Sequence, residues 1–331
     1  MKILVTGPDG VLGSNVVREL LSRDYEVSVM LMDASAKTPT LDGLSIHRFY
    51  GNILNPDELD AAFKGQDVVI HGAASTSVYP ARDAFVNKVN IEGTENVIDA
   101  CLKHDIKRVI YVGTANSHGY GDAKTPGKEG NPYVSVKYGL DYMDSKRKGQ
   151  EIILEAVKNK HLPALVVNPT FMIGPYDSKP SSGAMIIAVH QGKVPGYTSG
   201  GKNFVAVKDA AVAISNAVTM GRIGECYILG NENLTFKEAF DMIAETIGAK
   251  KIKMGLPNFI VKFYGRMSSF FAKIFKSTPA VTKELAIISC DTHYYSPEKA
   301  RKELGLPSTP VKQAVAECYA WFKENGCLAK K

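Results

Sequence analysis

Through the first half of the chain, short runs of β-branched residues alternate with helical stretches. The apolar runs are Ile3 to Thr6, Val27 to Leu31, Val68 to His71, Val109 to Val112 and Ala164 to Asn168. Strands separated by helices form βαβ units, whose parallel pairing and right-handed crossovers follow from strand twist. The pattern predicts an α/β fold with a doubly wound parallel sheet over residues 1–175. From about residue 176 turn formers accumulate, in Pro180, Ser181, Ser182 and Gly183 and again from Pro195 to Gly201. There the chain is expected to leave the sheet and build a smaller, mostly C-terminal lobe from 176–203 and 231–331. Residues 204–230 are expected to return to the first domain, with Tyr227 to Leu229 as a further strand.

With 331 residues, 45% hydrophobic and 22% charged, the chain is long enough for a full core and has ordinary globular composition. Its 40 Lys and Arg exceed its 34 Asp and Glu, but they are scattered rather than gathered into a stripe or tail. That argues against nucleic acid as a partner. Cys101, Cys226, Cys290, Cys318 and Cys327 are odd in number and far apart, with no Cys-x-x-Cys pair to suggest a metal or redox centre. A reduced, cytoplasmic setting is expected. The first residues run straight into a strand and a turn, unlike a signal peptide, and no window offers the eighteen or so apolar residues of a membrane span.

The first strand leads into Thr6-Gly7-Pro8-Asp9-Gly10-Val11-Leu12-Gly13 and then a helical run from Ser14 to Arg23. Glycines belong where a backbone turns sharply and where it must approach a pyrophosphate with no Cβ in the way, and the helix start adds free N–H groups and a positive dipole end. An ordinary strand-to-helix turn could carry the same spacing, but its place between the first strand and the first helix points to a dinucleotide.

Gly7-x-x-Gly10-x-x-Gly13 resembles the fingerprint of the extended short-chain dehydrogenase/reductases, the NAD-dependent epimerase/dehydratase superfamily. Further stretches are similar in order along nearly the whole chain. Asn52-Ile53 stands where the family has an Asp-Leu-like pair beside adenine, the Asn being a departure; Val69 to Ala74 is similar to the strand whose small residues, here Ala73 and Ala74, floor the cofactor. His71 is expected to be a packed core histidine. Asn90-Ile91-Glu92-Gly93-Thr94 resembles a helix start whose Asn braces the active site.

Reducing a carbonyl requires an acid for the developing alkoxide, and a tyrosine serves if its pKa, ordinarily about 10, is pulled down by a nearby cation. Tyr and Lys stand four apart twice, as Tyr133 with Lys137 and as Tyr142 with Lys146. Spacing leaves both open. Tyr142-Met143-Asp144-Ser145-Lys146 resembles the family's Tyr-x-x-Ser-Lys, which implies Tyr142 and Lys146 as the pair. The strand end Val112-Gly113-Thr114-Ala115 matches a family Ser-Ser or Ser-Thr, so the resemblance implies Thr114 as the substrate-orienting hydroxyl, with Gly113 a departure expected to widen the site. The alternative for Thr114 is a plain strand-end cap. Ser117 and His118 lie just beyond and are candidates to touch substrate, although His118 reads rather as a solvated loop residue. Asn168-Pro169 to Gly174-Pro175 is similar to the family stretch bordering the nicotinamide, which implicates Pro169. No metal is implied.

At the end of the second strand Met30-Leu31-Met32-Asp33 offers a carboxylate and no arginine, which favours NAD over NADP, with Ser35 and Lys37 left to hold a 2′-phosphate. The C-terminal half resembles the dihydroflavonol 4-reductase-like and 3β-hydroxysteroid dehydrogenase-like branch through Val207 to Ala211, Tyr227 to Gly230 and Ala300-x-x-x-Leu304-Gly305. That implies a small-molecule carbonyl or alcohol on a bulky, fairly apolar skeleton. A nucleotide-sugar epimerase or dehydratase is the rival reading, yet Arg222, Arg266 and Arg301 are the lobe's whole supply for a diphosphate clamp. A nucleotide-binding regulator without turnover is the third. A homodimer through two long helices is common among the enzymes the chain resembles.

Between residues 258 and 276, Lys262, Arg266, Ser269, Lys273 and Lys276 fall within an arc of roughly 80°, with apolar side chains around most of the remainder. Such a stretch reads either as a helix covering the pocket or a subunit contact, or as an anchor on a membrane surface.

Overall fold

The computed structural model describes residues 1–275 and 277–328. Its strands are β1 (Lys2–Thr6), β2 (Glu26–Leu31), β3 (His47–Tyr50), β4 (Val68–His71), β5 (Arg108–Val112), β6 (Ala164–Pro169), β7 (Phe171–Ile173), β8 (Gly201–Ala206), β9 (Cys226–Leu229), β10 (Glu232–Thr235) and β11 (Thr292–His293). Seven of them form a parallel sheet in the order β3-β2-β1-β4-β5-β6-β9. Alternate residues of one strand face opposite layers, so a strand buried on both sides must be apolar throughout. In β1, Ile3 and Val5 enter one core and Leu4 the other.

Helices α1 (Val11–Leu21), α2 (Pro56–Phe63), α3 (Ala84–Asn87), α4 (Gly93–Lys103) and α5 (Asp141–Lys160) alternate with these strands. On one face α2, α4 and α5 close a core around Leu59, Val97 and Ile153. This is the Rossmann-type α/β architecture. Chain order reverses between β1 and β4, so the strand ends beside that point open the crevice in which such sheets bind ligands.

After β6 the chain leaves the large sheet through β7 and helix α6 (Ala184–His190), and β8 becomes the centre of a four-stranded second sheet with β7, β10 and β11. Residues 204–230 divide: Phe204 to Ala206 complete β8, α7 (Val207–Asn216) covers the large sheet beside α1, and β9 joins that sheet's edge. Helices α8 (Phe236–Ile247) and α12 (Val311–Glu324) bury Ile243 and Phe322 with β8 and α6 in a core of their own. Helix α9 (Asn258–Ile274) lies on α10 (Lys283–Ile288), and α11 (Glu298–Leu304) returns to the nucleotide side. Ala300, Leu304 and Leu306 belong to the same core as α1 and α7, and Asn216 Nδ2 donates to Leu304 O at 2.7 Å. The five cysteines are free thiols. No described helix is long and apolar enough to cross a membrane.

Because Leu304 is fully buried in the large-sheet core, Leu304→Ala is expected to lower stability by about 2–5 kcal/mol. Urea unfolding followed by circular dichroism checks this; an unchanged midpoint would mean that α11 is not part of that core.

Candidate active site

The turn between β1 and α1 is shaped by glycines with different jobs. Gly7 has φ +69°, and a Cβ there would lie 2.8 Å from Ala73 N. A Cβ at Gly13 would collide with the Gly7 carbonyl oxygen, so α1 packs directly on the turn. Gly10 is exposed; a Cβ on it would meet only Gly7 O at 3.7 Å, leaving open space in front of α1. Gly10 is also the N-cap and supplies no side-chain oxygen, while Val11, Leu12 and Gly13 begin the helix partly exposed. A helix start open to solvent and backed by small residues fits a pyrophosphate.

Around this turn, Ala73 N donates to Thr6 Oγ1 at 3.2 Å, and Ala73 and Ala74 are partly exposed at the end of β4. His71 Nδ1 pairs with Thr6 Oγ1 at 2.8 Å; burial depresses the imidazole to about 3, so it is a neutral core residue. Asp33 is exposed just past β2 and accepts from the Ser35 hydroxyl at 2.7 Å and the Ser35 N–H at 2.8 Å, which hold the carboxyl below its ordinary range. Asn52 Oδ1 accepts from Leu54 N at 2.9 Å, and Ile53 is buried, its Cδ1 2.6 Å from where a Cβ on Gly93 would be.

At the other side of the crevice α5 approaches the ends of β5 and β6. Lys146, 5% exposed, donates to Val112 O at 2.7 Å and lies 4.6 Å from the centre of the Tyr111 ring. Loss of water drives its ammonium down from 10.5 to about 7. Tyr142 is partly exposed one turn earlier; burial pushes its phenol up, opposed by the Thr114 hydroxyl beside it. Burial thus outweighs the hydroxyl, and the phenol lies above rather than below its ordinary value. Thr114 also caps the short turn after β5, accepting from Asn116 N at 3.3 Å, so the hydroxyl and the capping readings are both realised in one residue. Pro169, buried at the end of β6, pairs with Leu229.

Asn90, in a single π-helical turn, accepts from Ser75 N at 2.8 Å and donates to Ser145 Oγ at 2.9 Å. It thereby links the loop after β4 to α5. Tyr133 and Lys137 do not share an α-helix. Tyr133 donates to Asp144 at 2.7 Å and Lys137 pairs with Asp291 at 2.8 Å, so neither faces the other.

Two further expectations are corrected. Gly113 does not widen the site: a Cβ there would lie 2.5 Å from Asn168 Nδ2, and that amide fills the space, donating to Thr114 O at 3.0 Å and Gln150 Oε1 at 2.8 Å. His118 is not solvated but 3% exposed, its Nε2 3.3 Å from Asn168 Oδ1, and burial lowers it to about 4. Gln150 and Tyr111 were missed. Gln150 had a signal, since it continues the four-residue step from Tyr142 through Lys146; Tyr111 had none, its role depending on which face of β5 meets α5. Among the described residues no group of three or more His, Cys, Asp or Glu could hold a metal ion. Lys276 lies outside the described residues.

Burial of Lys146 makes folding depend on pH. Between about 7 and 10.5 the unfolded chain binds a proton that the folded chain lacks. The penalty is complete below that window and is relieved as pH rises through it, adding up to about 1.4 kcal/mol per pH unit. In urea unfolding of nucleotide-free protein at pH 7, 8 and 9, Lys146→Met is expected to lose this component of the rise; parallel profiles for the two proteins would remove the assignment.

Residues 3–230 match the model of the NAD dependent epimerase/dehydratase family. A Synechocystis protein named "Putative dihydroflavonol 4-reductase" is 29% identical over 97% of this chain and 94% of its own. Sterol demethylase protein B of Methylococcus capsulatus is 27% identical over 99% of this chain and 100% of its own. Among solved structures, gox2253 superposes with TM-score 0.87 at 31% identity over 99% of each chain. PA4631, a nucleoside-diphosphate-sugar epimerase from Pseudomonas aeruginosa, does so at 0.80 with 25% identity over 99% of each. The chain belongs to the NAD-dependent epimerase/dehydratase family, as an extended short-chain dehydrogenase/reductase and an oxidoreductase of that kind.

Proposed function

We propose that the protein interconverts a ketone or aldehyde and an alcohol on a bulky, fairly apolar substrate, as a dihydroflavonol 4-reductase-like enzyme of the cell interior. The observation that carries this reading is the convergence of Tyr142, Thr114 and Lys146 where α5 meets the end of β5. The dinucleotide, when bound, supplies or accepts the hydride. Gly7, Gly10, Val11, Leu12 and Gly13 would hold its pyrophosphate, Asp33 its adenosine ribose, Asn52 with Ile53 beneath its adenine, and Ala73, Ala74 and Pro169 the surfaces around the rest.

Within that frame Tyr142 carries the exchangeable proton, and its protonated state near neutrality suits carbonyl reduction. Thr114 Oγ1 orients the substrate oxygen. Lys146 is expected to reach the nicotinamide ribose and, once its charge is supported there, to ease proton transfer from Tyr142. Tyr142→Phe is expected to lower turnover by about 10²–10⁴-fold with nucleotide affinity retained, while Tyr133→Phe, its hydroxyl committed to Asp144, leaves the rate within about twofold. A silent Tyr142→Phe combined with an inactive Tyr133→Phe would reverse the choice of pair, and binding with no turnover in any variant would favour a regulator.

Asp33 favours NAD, because a carboxylate accepts from a ribose 2′-hydroxyl and repels a 2′-phosphate. Of Ser35 and Lys37, the side chains left to hold a phosphate, Ser35 is already bonded to Asp33. Fluorescence titration should show NADH binding at least about tenfold tighter than NADPH, with Asp33→Ala abolishing the preference; tighter NADPH binding would overturn it. The epimerase reading is supported by the likeness to PA4631, but of the three arginines after residue 175 two lie on the large-sheet side and are engaged. Arg222 pairs with Glu303 at 2.8 Å and Arg301 donates to Asn231 at 2.8 Å. Lys202, over the Phe171 ring at 5.0 Å and with no carboxylate partner among the described residues, offers one cation and suits a single anionic group better than a diphosphate. NAD released only on denaturing the purified protein would favour the epimerase.

A further inference from the structure

We propose that α9 is a docking surface for an anionic lipid bilayer, an inference that goes beyond the catalytic reading and does not depend on it. The helix is amphipathic in the reverse of the usual sense. Its buried positions are the small residues Gly265 and Ala272. A Cβ on Gly265 would lie 2.5 Å from Ala286 Cβ of α10, so the helix rests on its narrowest face. Ser269 Oγ fastens that side by accepting from Lys283 N at 2.9 Å.

The large apolar side chains face away. Phe259, Phe263, Phe270 and Ile274 fall within roughly 60° of one another at 3.6 residues per turn, on the side opposite Gly265 and Ala272. They are 74%, 64%, 57% and 55% exposed. Ile260, Tyr264 and Phe271 widen the ridge on one flank, and Lys262, Arg266 and Lys273 line the other. Single exposed apolar residues are ordinary, but a continuous patch of this kind marks an interaction site.

Charge selects the occupant. From Thr246 to Lys283 the chain contains eight lysines and arginines and neither aspartate nor glutamate, more than the +6 excess of the whole protein. At its two ends Lys251 pairs with Glu245 at 2.5 Å and Lys283 with the buried Glu284 at 3.5 Å, while Lys262, Arg266 and Lys273 between them have no carboxylate partner among the described residues. A second copy seated on this ridge would bring cation against cation, whereas an anionic headgroup layer neutralises the basic edge and takes up the aromatic ridge at the acyl boundary. A groove bounded by Tyr79, Ala81, Arg266 and Phe270 opens at that edge. Ala81 packs in the same small cluster as Tyr142, so the ridge borders the approach to the candidate site.

The test is sedimentation of the full-length protein with vesicles of phosphatidylcholine and phosphatidylglycerol, and with phosphatidylcholine alone, at about 0.1 M salt. Most of the protein is expected in the anionic pellet. Neutralising Lys262, Arg266 and Lys273 together to Gln should lower the partition coefficient by about a hundredfold, at about fivefold per charge. Phe259→Ser with Phe263→Ser should abolish pelleting. These side chains are exposed, Lys262 partly so, and melting curves matching the parent's verify that the variants fold. Absence from the anionic pellet overturns the proposal, as does pelleting that neither variant reduces. A parent that light scattering shows to be a dimer, made monomeric by Phe263→Asp and never pelleting, would assign the ridge to a second copy instead.

Discussion

The candidate site depends on how closely α5 lies against the ends of β5 and β6. That approach is permitted by two missing side chains. A Cβ on Gly149 would press on the Tyr111 hydroxyl and lie 3.0 Å from Asn90 O, and one on Gly113 would displace the Asn168 amide. With neither present, the Tyr111 ring slides beneath Lys146, and Asn168 ties β6 to both Thr114 and Gln150. Thr114 and Tyr142 face each other because the backbones carrying them are fixed by these contacts. Asn90 completes the arrangement from outside the layer, where one extra residue in the helical turn aims its amide at Ser145.

The same closeness sets the protonation states. Burial is the leading influence on four groups around the site: it lowers Lys146, lowers His71 and His118, and raises Tyr142. Both histidines are spectators, which leaves Lys146 as the group whose ionisation falls in the physiological range. Because burial brings its ammonium to about 7, Lys146 is balanced between its two forms near neutrality, so any further acceptor brought to it shifts the balance toward the ammonium.

What could be read from the sequence was local. The five apolar runs of the first half all became strands of the large sheet, because strands buried on both faces have a composition that shows. The glycine turn was legible since its spacing and position are features of one short segment. The second sheet was not: Gly201–Ala206, Glu232–Thr235 and Thr292–His293 are short or polar and draw their pairing from segments 30 to 90 residues apart. The environments of His118 and Gly113 were equally hidden, because each is decided by Asn168, some fifty residues further along.

Helix α9 shows the same limit in another form. Its periodicity discloses an apolar arc and a basic arc, but a periodic pattern does not say which arc is inside. In α8 and α12 the large apolar side chains point into a core, as the usual rule has it. In α9 the support is α10, a short helix offering Ala286, and a close fit there demands glycine and alanine rather than phenylalanine. Once the small residues are committed to that contact, the helical repeat leaves the aromatic residues no side but the outer one. The outward ridge is thus a geometric consequence of how α9 is held, and the cations Lys262, Arg266 and Lys273 along its flank, with no carboxylate partner among the described residues, are what the proposed partner must answer.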